Sequence, residues 1–307
     1  MKAIQTVLSE LVVGESSTFR QLTLFPLKAS RTSPRDYRTL DEALEAQGIE
    51  ISEVSEGGSV PDLLLDNRFD QDVLLIDGEE LTGAKQNRVL NVTVLAAANH
   101  KTRIPVSCVE AGRWAYRRRN FTTSGNAEFA ESRAHKMASV SESMMHRNTR
   151  QSDQSGVWGT IAGKAERMAC YSETSAMDDI YREYRQPVED YVAAFEPEAG
   201  QTGAAFAVDG KIKGIEIFED PAVFCKLLPK LVRSYALDAV EVKGQAEDFT
   251  AKEAVTHFIN RVAGGKFDIH SGAGKGTDVR IAGDGLTAGA LVSEGRLLHL
   301  AAFQLDR

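Results

Sequence analysis

The sequence predicts an α+β fold with two β-rich halves, built from hairpins and an antiparallel meander, packed helices and a helical insertion. Short apolar runs separated by Asp-Gly and other glycine-bearing turns occur in both halves and are typical of antiparallel strands. Helix start signals precede runs with helical apolar spacing. We expect an N-terminal half at 1–114, a basic helical insertion at 115–195, and a C-terminal hairpin, two helices and meander at 196–307. The third segment is compatible with forming one domain with the first.

The composition predicts a folded cytoplasmic protein. Of 307 residues, 42% are hydrophobic and 26% are charged, which are ordinary values for a protein with a sizeable core. The net charge of −8 disfavours general nucleic-acid binding. No stretch approaches the roughly 18 apolar residues of a membrane span. The three cysteines are widely separated, which disfavours disulfides and a zinc site and favours a reducing compartment. Cys108 has no adjacent histidine and is expected to be a buried, inert thiol.

The first 54 residues predict short alternating elements. Residues 7–13 fit a strand or a short helix, and 19–27 fit a strand. Pro26 disfavours a central position for the end of that strand, because proline lacks an amide donor. Thr39 is predicted to cap a short helix, and 49–54 is expected to be extended.

The strongest strand signals lie within 72–114. The apolar run 72–76 ends at Asp77-Gly78, which predicts a hairpin with a return strand at 79–82. Across 89–96, apolar and polar residues alternate, as expected for a strand with one buried face.

A third strand, 104–110, follows. Pairing it with the preceding strand makes opposed residue numbers sum to about 199, which places Glu110 near Val89. A polar cluster of mixed charge is therefore expected at one end of the sheet, formed by Gln86, Asn87, Arg88, Glu110, Arg113 and Trp114.

The segment 113–150 is basic, with eight Arg or Lys residues against three acids. Asn126 is a candidate N-cap for a helix over 127–148 whose apolar content is low. Such a run is usually a solvated helix or a partly mobile loop. The alternatives are a mobile basic arm that meets an anionic ligand and a surface that docks a protein partner.

The C-terminal third predicts a hairpin, two helices and four strands. Asp209-Gly210 lies between two apolar runs, and Asp220-Pro221 opens a helix. Thr250 with Glu253 forms a predicted capping box for the second helix. The strands after residue 266 form the meander.

Five segments carry a family resemblance: Gly83–Arg88, Ile104–Trp114, Gln154–Trp158, Gly210–Asp238 and His299–Phe303. They resemble the ARG and rhodanese-phosphatase-superfamily-associated protein family, from about residue 10 to the end of the chain. That family is named for its association with ADP-ribosylglycohydrolase-type and rhodanese-phosphatase-type proteins. The resemblance implies a role in ADP-ribose or NAD metabolism, and it supplies neither catalytic residues nor a cofactor.

Three residues are candidates for catalysis: Glu110, Glu80 and His299. Paired carboxylates can act as general acid and base, or hold Mg²⁺ or Ca²⁺. The alternative is structural, with Glu110 paired to Arg88 or Arg113, Glu80 solvated and His299 in the core. No histidine lies in a metal-ligand spacing, so no metal site is predicted.

The donor-rich residues of this region are candidates for ligand binding, namely Lys85, Gln86, Asn87, Arg88, Arg113 and Trp114. A guanidinium fork suits a phosphate or a carboxylate. An indole can stack on a purine, although tryptophan more commonly packs in a core.

Two functions from different classes remain open. The first is a ligand-binding, hydrolase-like or transferase-like role on an ADP-ribose-type or nucleotide-type anionic small molecule. The second is a non-catalytic interaction or oligomerisation module whose segment 115–150 docks a protein partner. RNA binding through the basic insertion is a third reading, which the acidic net charge disfavours.

Overall fold

The structure, a computed structural model, describes residues 1–30, 32–55, 60–244 and 250–305. Within these ranges the chain forms eight helices and eighteen strands in three sheets, which confirms the α+β class. The helices are α1 (Lys2–Glu10), α2 (Leu40–Glu45), α3 (Ala130–Arg147), α4 (Gln154–Arg167), α5 (Met177–Glu183), α6 (Arg185–Ala194), α7 (Pro221–Glu241) and α8 (Lys252–Ala263). The strands are β1 (Val12–Val13), β2 (Ser17–Phe19), β3 (Leu22–Lys28), β4 (Tyr37–Thr39), β5 (Ile49–Glu53), β6 (Asp62–Asn67), β7 (Asp72–Leu75), β8 (Glu79–Gly83), β9 (Arg88–Leu90), β10 (Val94–Ala96), β11 (His100–Cys108), β12 (Phe121–Ala127), β13 (Gly203–Val208), β14 (Lys211–Phe218), β15 (Lys266–Ser271), β16 (Thr277–Gly283), β17 (Leu286–Ser293) and β18 (Arg296–Gln304).

The largest sheet joins both ends of the chain. Its order is β1-β3-β13-β14-β18-β17-β16-β15, with β2 also paired to β3. The predicted hairpin about Asp209-Gly210 and the C-terminal meander are confirmed. Because β3 pairs with β13, the predicted first and third segments share this sheet. The division into separate domains stays a prediction.

The Asp77-Gly78 turn connects two smaller sheets, so the hairpin predicted there is wrong. β7 lies in the order β10-β7-β4, whereas β8 lies in the order β12-β8-β9-β11-β6-β5. Gly78 has a φ of +80°, and a Cβ there would lie 2.6 Å from the Arg133 side chain. The turn therefore depends on glycine and on a buried guanidinium rather than on strand pairing.

The predicted strand 89–96 is two strands in two sheets, because β10 leaves β9 to pair with β7. All residues from Arg88 to Ala96 are buried, so the expectation of one exposed face is wrong. The predicted register is also wrong. Val106 lies opposite Leu90, so the residue numbers sum to 196 rather than 199. The error arises because the chain passes through β10 between β9 and β11 instead of making a tight turn.

Local sequence signals for helix caps and strand positions were correct at some residues and wrong at others. Thr39 caps α2 with a capping box to Glu42, as predicted. Pro26 lies within β3 opposite Ala204, between the stretches paired to β2 and β1. Its missing donor costs no ladder bond there, so the expected exclusion from a central position is wrong. The Thr250 capping box is also wrong, since Ala251 is the N-cap of α8 without a side-chain bond.

One face of helix α3 is buried, so the expected solvated helix or mobile arm is wrong for this part of the basic segment. It begins after Phe129 rather than Asn126, because 121–127 forms β12 beside β8. It contacts the C-terminal sheet through β14, β17 and β18. Arg133 and Lys136 are both almost completely buried and ion-paired, which takes them away from any nucleic acid or anionic ligand at the surface.

A buried ionic network joins α3 to all three sheets. Arg133 donates from Nη1 to Glu216 Oε1 at 2.6 Å and from Nη2 to both Asp77 oxygens at 3.3 Å. The other Glu216 oxygen lies 2.9 Å from His299 Nε2, and His299 Nδ1 lies 2.8 Å from Thr93 Oγ1. Thr93 Oγ1 also accepts the Asp77 amide at 3.2 Å. Each of these side chains therefore has a partner at hydrogen-bond distance, although the Arg133 Nε has none.

The charges in this network stabilise one another. Burial acts to raise the pKa of Asp77, but Arg133 and the other basic groups nearby together outweigh it and the pKa is lowered. Burial likewise acts to lower the pKa of Arg133, and the two carboxylates outweigh it and raise the pKa. Asp77 and Arg133 are consequently both charged at neutral pH when the protein is folded.

We expect Arg133→Met to lower the free energy of unfolding by about 3 to 5 kcal/mol, because two buried carboxylates lose their cation. Arg147→Met is the matched control: Arg147 is exposed on the same helix, and its loss should cost no more than about 0.5 kcal/mol. Urea denaturation followed by circular dichroism measures both. Equal effects of the two substitutions would contradict a structural role for the network.

Candidate functional site

The predicted polar cluster forms where β8 ends and β9 begins. Gly83 ends β8 with a φ of +133°, and a Cβ there would lie 2.6 Å from the Asn120 carbonyl oxygen. The following loop turns back so that Arg88 starts β9 opposite Cys108 of β11. The residues after β11 then return to the same loop, and the Val109 amide donates to the Asn87 carbonyl at 3.1 Å. This folding brings Gln86, Asn87, Arg88, Glu110 and Arg113 together.

Glu110 is saturated by donors. Arg113 binds it with both prongs of its guanidinium, Nε to Oε1 at 2.8 Å and Nη2 to Oε2 at 2.6 Å. The Asn87 amide and the Thr174 hydroxyl donate at 3.1 and 2.9 Å. Burial acts to raise the pKa of Glu110, and these donors outweigh it, so the pKa is lowered. The carboxyl is an ionised structural group at neutral pH, unsuited to donating a proton.

The guanidinium of Arg113 is also fully hydrogen-bonded. Its Nη1 donates to the carbonyl oxygens of Ala84 and Ala115, each at 2.7 Å, and its Nη2 reaches Asn87 Oδ1 at 3.1 Å. The pair formed by Glu110 and Arg113 therefore ties the loop to the segment after β11. Glu110 and Arg113 thus form the structural ion pair that was one of the alternatives predicted from the sequence.

Arg88 differs because it is fully buried and only partly hydrogen-bonded. Its Nη1 donates to Gln86 Oε1 at 3.1 Å and to the Asn87 carbonyl at 3.4 Å. Its Nε and Nη2 make no hydrogen bond, and neither do the two carboxyl oxygens of Glu53, although Nη2 lies 3.9 Å from Glu53 Oε1. Burial lowers the pKa of Arg88. The two side chains thus face each other with unused donors and acceptors.

Cys108 lies beside this pair. The thiol is completely buried, and burial raises its pKa to about 11 despite the Arg88 cation. At neutral pH it is protonated and therefore a poor nucleophile. The predicted inert thiol is confirmed.

Aromatic side chains cover the outer side of the cluster. Trp114 and Tyr116 are 48% and 52% exposed, so core packing of Trp114 is excluded. The Lys85 Nζ lies 5.3 Å from the centre of each ring, and the Arg88 guanidinium carbon lies 5.7 Å from the Trp114 ring. Cations near the ring faces hold both rings in place while leaving ring surface in contact with solvent.

A cavity of about 780 Å³ adjoins this cluster. One wall is formed by Tyr116 and the run Arg117–Arg119, and the opposite wall by the end of β5, including Ser52 and Glu53. Arg117 lies 3.4 Å from Glu110 Oε1 and so links the cavity to the saturated carboxylate. A volume of this size suits a small-molecule ligand.

The other two predicted catalytic residues lie outside this cavity. His299 is fully buried in the ionic network and stacks on Phe218 at 4.5 Å between ring centres. Glu80 is fully buried on β8, and burial raises its pKa to about 8. Its neighbour Glu79 is paired to Lys230 at 2.5 Å. The alternative in which Glu80 is solvated is wrong, because Glu80 is completely buried on the strand that pairs with β12.

Glu53 and Tyr116 were not predicted to belong to the site. The run Arg117–Arg119 was predicted only as part of the basic segment 113–150. The aromatic and basic sequence that follows Trp114 was a usable signal, because nucleotide sites combine these residue types. No local sequence signal identified Glu53, because it meets Arg88 only through the pairing of β5, β6 and β11.

Among the residues that the structure describes, no group of three or more His, Cys, Asp or Glu side chains is arranged to hold a metal ion. In the same part of the chain, no helix is long and apolar enough to cross a membrane.

Fold and site together define an α+β protein with a buried ionic centre and a cavity lined by arginine and aromatic side chains. The chain belongs to the ARG and Rhodanese-Phosphatase-superfamily-associated Protein family, whose domain matches residues 10–303. The family resemblance found in the sequence is thereby confirmed. Comparison with curated proteins and with solved structures gave no match.

We expect Glu110→Gln to lower the free energy of unfolding at pH 7 by about 3 kcal/mol, because Arg113 loses its buried partner. The lowered pKa means that ionised Glu110 stabilises the fold above the usual glutamate pKa, about 4.3, and that this stabilisation is lost as the pH falls below it. The variant should therefore show a flatter pH dependence between neutral and acidic pH.

Urea denaturation at several pH values measures this effect, and Glu142→Gln is the control because Glu142 is exposed on α3. A variant of Glu110 with the same acid profile as the natural protein would refute the assigned role.

Proposed function

We propose that this protein binds an ADP-ribose-type or other nucleotide-type anionic small molecule in the cavity beside Trp114. The observation that carries the proposal is the buried Arg88, whose Nε and Nη2 lack hydrogen-bond partners and whose Nη2 faces Glu53, a lining residue of that cavity. Leaving a buried charged donor unsatisfied is costly, and a ligand that accepts from it removes this cost. The family's association with ADP-ribose-related proteins supports the same ligand class.

Each part of such a ligand has a suitable group in the cavity wall or, for Trp114, in the cluster beside it. The exposed faces of Trp114 and Tyr116 suit a purine base, and stacking on an aromatic ring contributes about 1 to 3 kcal/mol per base. The unbonded carboxyl oxygens of Glu53 suit ribose hydroxyls, the interaction that acidic residues make in dinucleotide sites. The run Arg117–Arg119 suits a diphosphate.

The geometry favours binding over catalysis at this cavity. Glu110 is saturated, and neither Glu80 nor His299 lines the cavity. Lys85, Gln86 and Asn87 act in this proposal by holding the aromatic rings and the Arg88 guanidinium in position.

A second function is a non-catalytic interaction or oligomerisation module. It is supported by the saturation of Glu110 and by exposed aromatic side chains, Trp114, Tyr116 and Tyr171, which are residue types enriched at protein interfaces. The exposed part of 115–150 would then contribute to a docking surface for a protein partner. Both functions suit a reducing cytoplasm, given three cysteines that form no disulfide in the described chain.

Calorimetric titration with ADP-ribose, NAD and AMP tests the first function. We expect Trp114→Ala to weaken binding about tenfold through lost stacking, and Arg119→Ala to weaken binding of the diphosphates more than that of AMP. The matched controls are Tyr171→Ala, an exposed aromatic residue away from the cavity, and Arg103→Ala, an exposed arginine on β11.

Failure of all three compounds to bind the natural protein would refute the first function. Light scattering on the same variants tests the second function. A change of oligomeric state on Trp114→Ala, with no ligand binding by the natural protein, would favour the interaction module.

A further inference from the structure

A second cleft, of about 400 Å³, lies between β12 and the helices α5, α6 and α7. Eight of its lining residues are polar or charged: Ser124, Asn126, Asp178, Tyr181, Arg182, Arg185, Glu189 and Arg233. None of them belongs to the cavity beside Trp114.

The cleft forms over an irregularity in the pairing of β8 with β12. Thr123 lies opposite Leu81, and Ala127 lies opposite Glu79, so the three residues 124–126 face the single residue Glu80. Gly125, at the centre of this bulge, has a φ of +80°. Bulges of this kind lift the backbone away from its partner strand and often border functional sites.

Most charged groups of the cleft have an ion-pair partner among the described residues, and one does not. Arg233 donates to both oxygens of Glu189, and Arg182, also in the lining, lies 3.8 Å from Asp178. Arg185 is exposed at the start of α6, and within the described chain it forms no hydrogen bond or ion pair. The lining holds three guanidiniums and two carboxylates, and Arg182 also pairs with Asp179 outside the lining, so Arg185 is the one cation of the cleft without a partner among the described residues.

Glu80 lies beneath the bulge and has no hydrogen bond of ordinary geometry, although it is completely buried. Ser124 and Asp178, which both line the cleft, are among the groups that interact with it most strongly. Burial is the largest cause of its raised pKa, about 8, and the Asp178 charge is the next; the Ser124 hydroxyl acts to lower it. Glu110 and Glu128 also raise it, and Tyr181 of α5 is a further titratable neighbour.

At neutral pH the Glu80 carboxyl is therefore mostly protonated and offers an O–H donor rather than a negative charge. A hydroxyl, a side-chain amide and a guanidinium unpaired in the described chain thus line one small cleft, and the buried Glu80 carboxyl lies beneath the bulge that carries two of them. Together they are complementary to the oxygens of an anion.

We propose that this cleft is a binding site for a small oxyanion group, a phosphate or a carboxylate, held by Arg185, Ser124 and Asn126 above the buried Glu80 side chain. The site does not depend on the nucleotide cavity, and it would admit either a free anion or the anionic group of a larger metabolite. Ionisation of Glu80 would place a negative charge beneath the bound anion and weaken the binding of that anion.

Calorimetric titration with sulfate, phosphate and acetate tests the site. Sulfate is the primary probe because its charge does not change near neutral pH. We expect Arg185→Gln to weaken sulfate binding about tenfold, the loss of one charge-assisted pair. Arg147→Gln, an exposed arginine on α3 outside the cleft, should leave it unchanged. Phosphate binding tighter than acetate would identify a phosphate site, and the reverse order a carboxylate site.

The role of Glu80 is tested by the pH profile of sulfate binding. Affinity for the natural protein should fall several-fold as the pH rises from 7 to 9 through the raised pKa of Glu80. Glu80→Gln keeps a neutral donor at the position, so its sulfate affinity should match that of the natural protein at pH 7 and change less at pH 9. Absence of sulfate and phosphate binding at millimolar concentration, or equal effects of Arg185→Gln and Arg147→Gln, would overturn the proposal; each result can be read independently of ADP-ribose binding.

Discussion

The buried guanidinium of Arg133 is the constraint on which the rest of the structure depends. It lies on α3 and meets Asp77, at the turn between the two smaller sheets, and Glu216, in the middle of the largest sheet. Apolar contacts alone would let a helix slide over a sheet, whereas these directional bonds allow one position. Burying such charges is costly in itself, so their value lies in the arrangement that they specify and in the penalty for losing a partner.

Two neighbouring glutamates on β8 show how that arrangement creates different chemistry from the same side chain. Successive residues of a strand point to opposite faces. Glu79 points toward α7, where Lys230 neutralises it at 2.5 Å. Glu80 points toward the bulge of β12 and meets mainly other acids. Burial raises the pKa of both carboxyls, and only Glu79 has a cation that opposes the shift directly. A structural ion pair and a neutral donor thus occupy consecutive positions.

Local patterns in the sequence predicted the elements far better than their pairing. The meander, the Asp209-Gly210 hairpin and the cap at Thr39 depend on residues close in the chain, and they were predicted correctly. The partners of β7, β8 and β10 are chosen by contacts between distant segments, so the turn at Asp77-Gly78 was misread. The convergence of Arg88, Glu110 and Arg113 was predicted despite a register error of three, because the loop and the segment after β11 meet at the same sheet end. Their roles were not predictable, since neutralisation of Glu110 and the unused donors of Arg88 depend on packing.

The placement of the two tryptophans gives the protein a built-in optical probe. Trp114 is half exposed beside two cations, whereas Trp158 lies on α4, away from the arginine-lined cavity. An indole that loses contact with water emits at shorter wavelength, so any molecule that covers the Trp114 ring changes its emission while Trp158 provides a constant background. Occupancy of this part of the surface can therefore be followed in the unlabelled natural protein, with no attached dye.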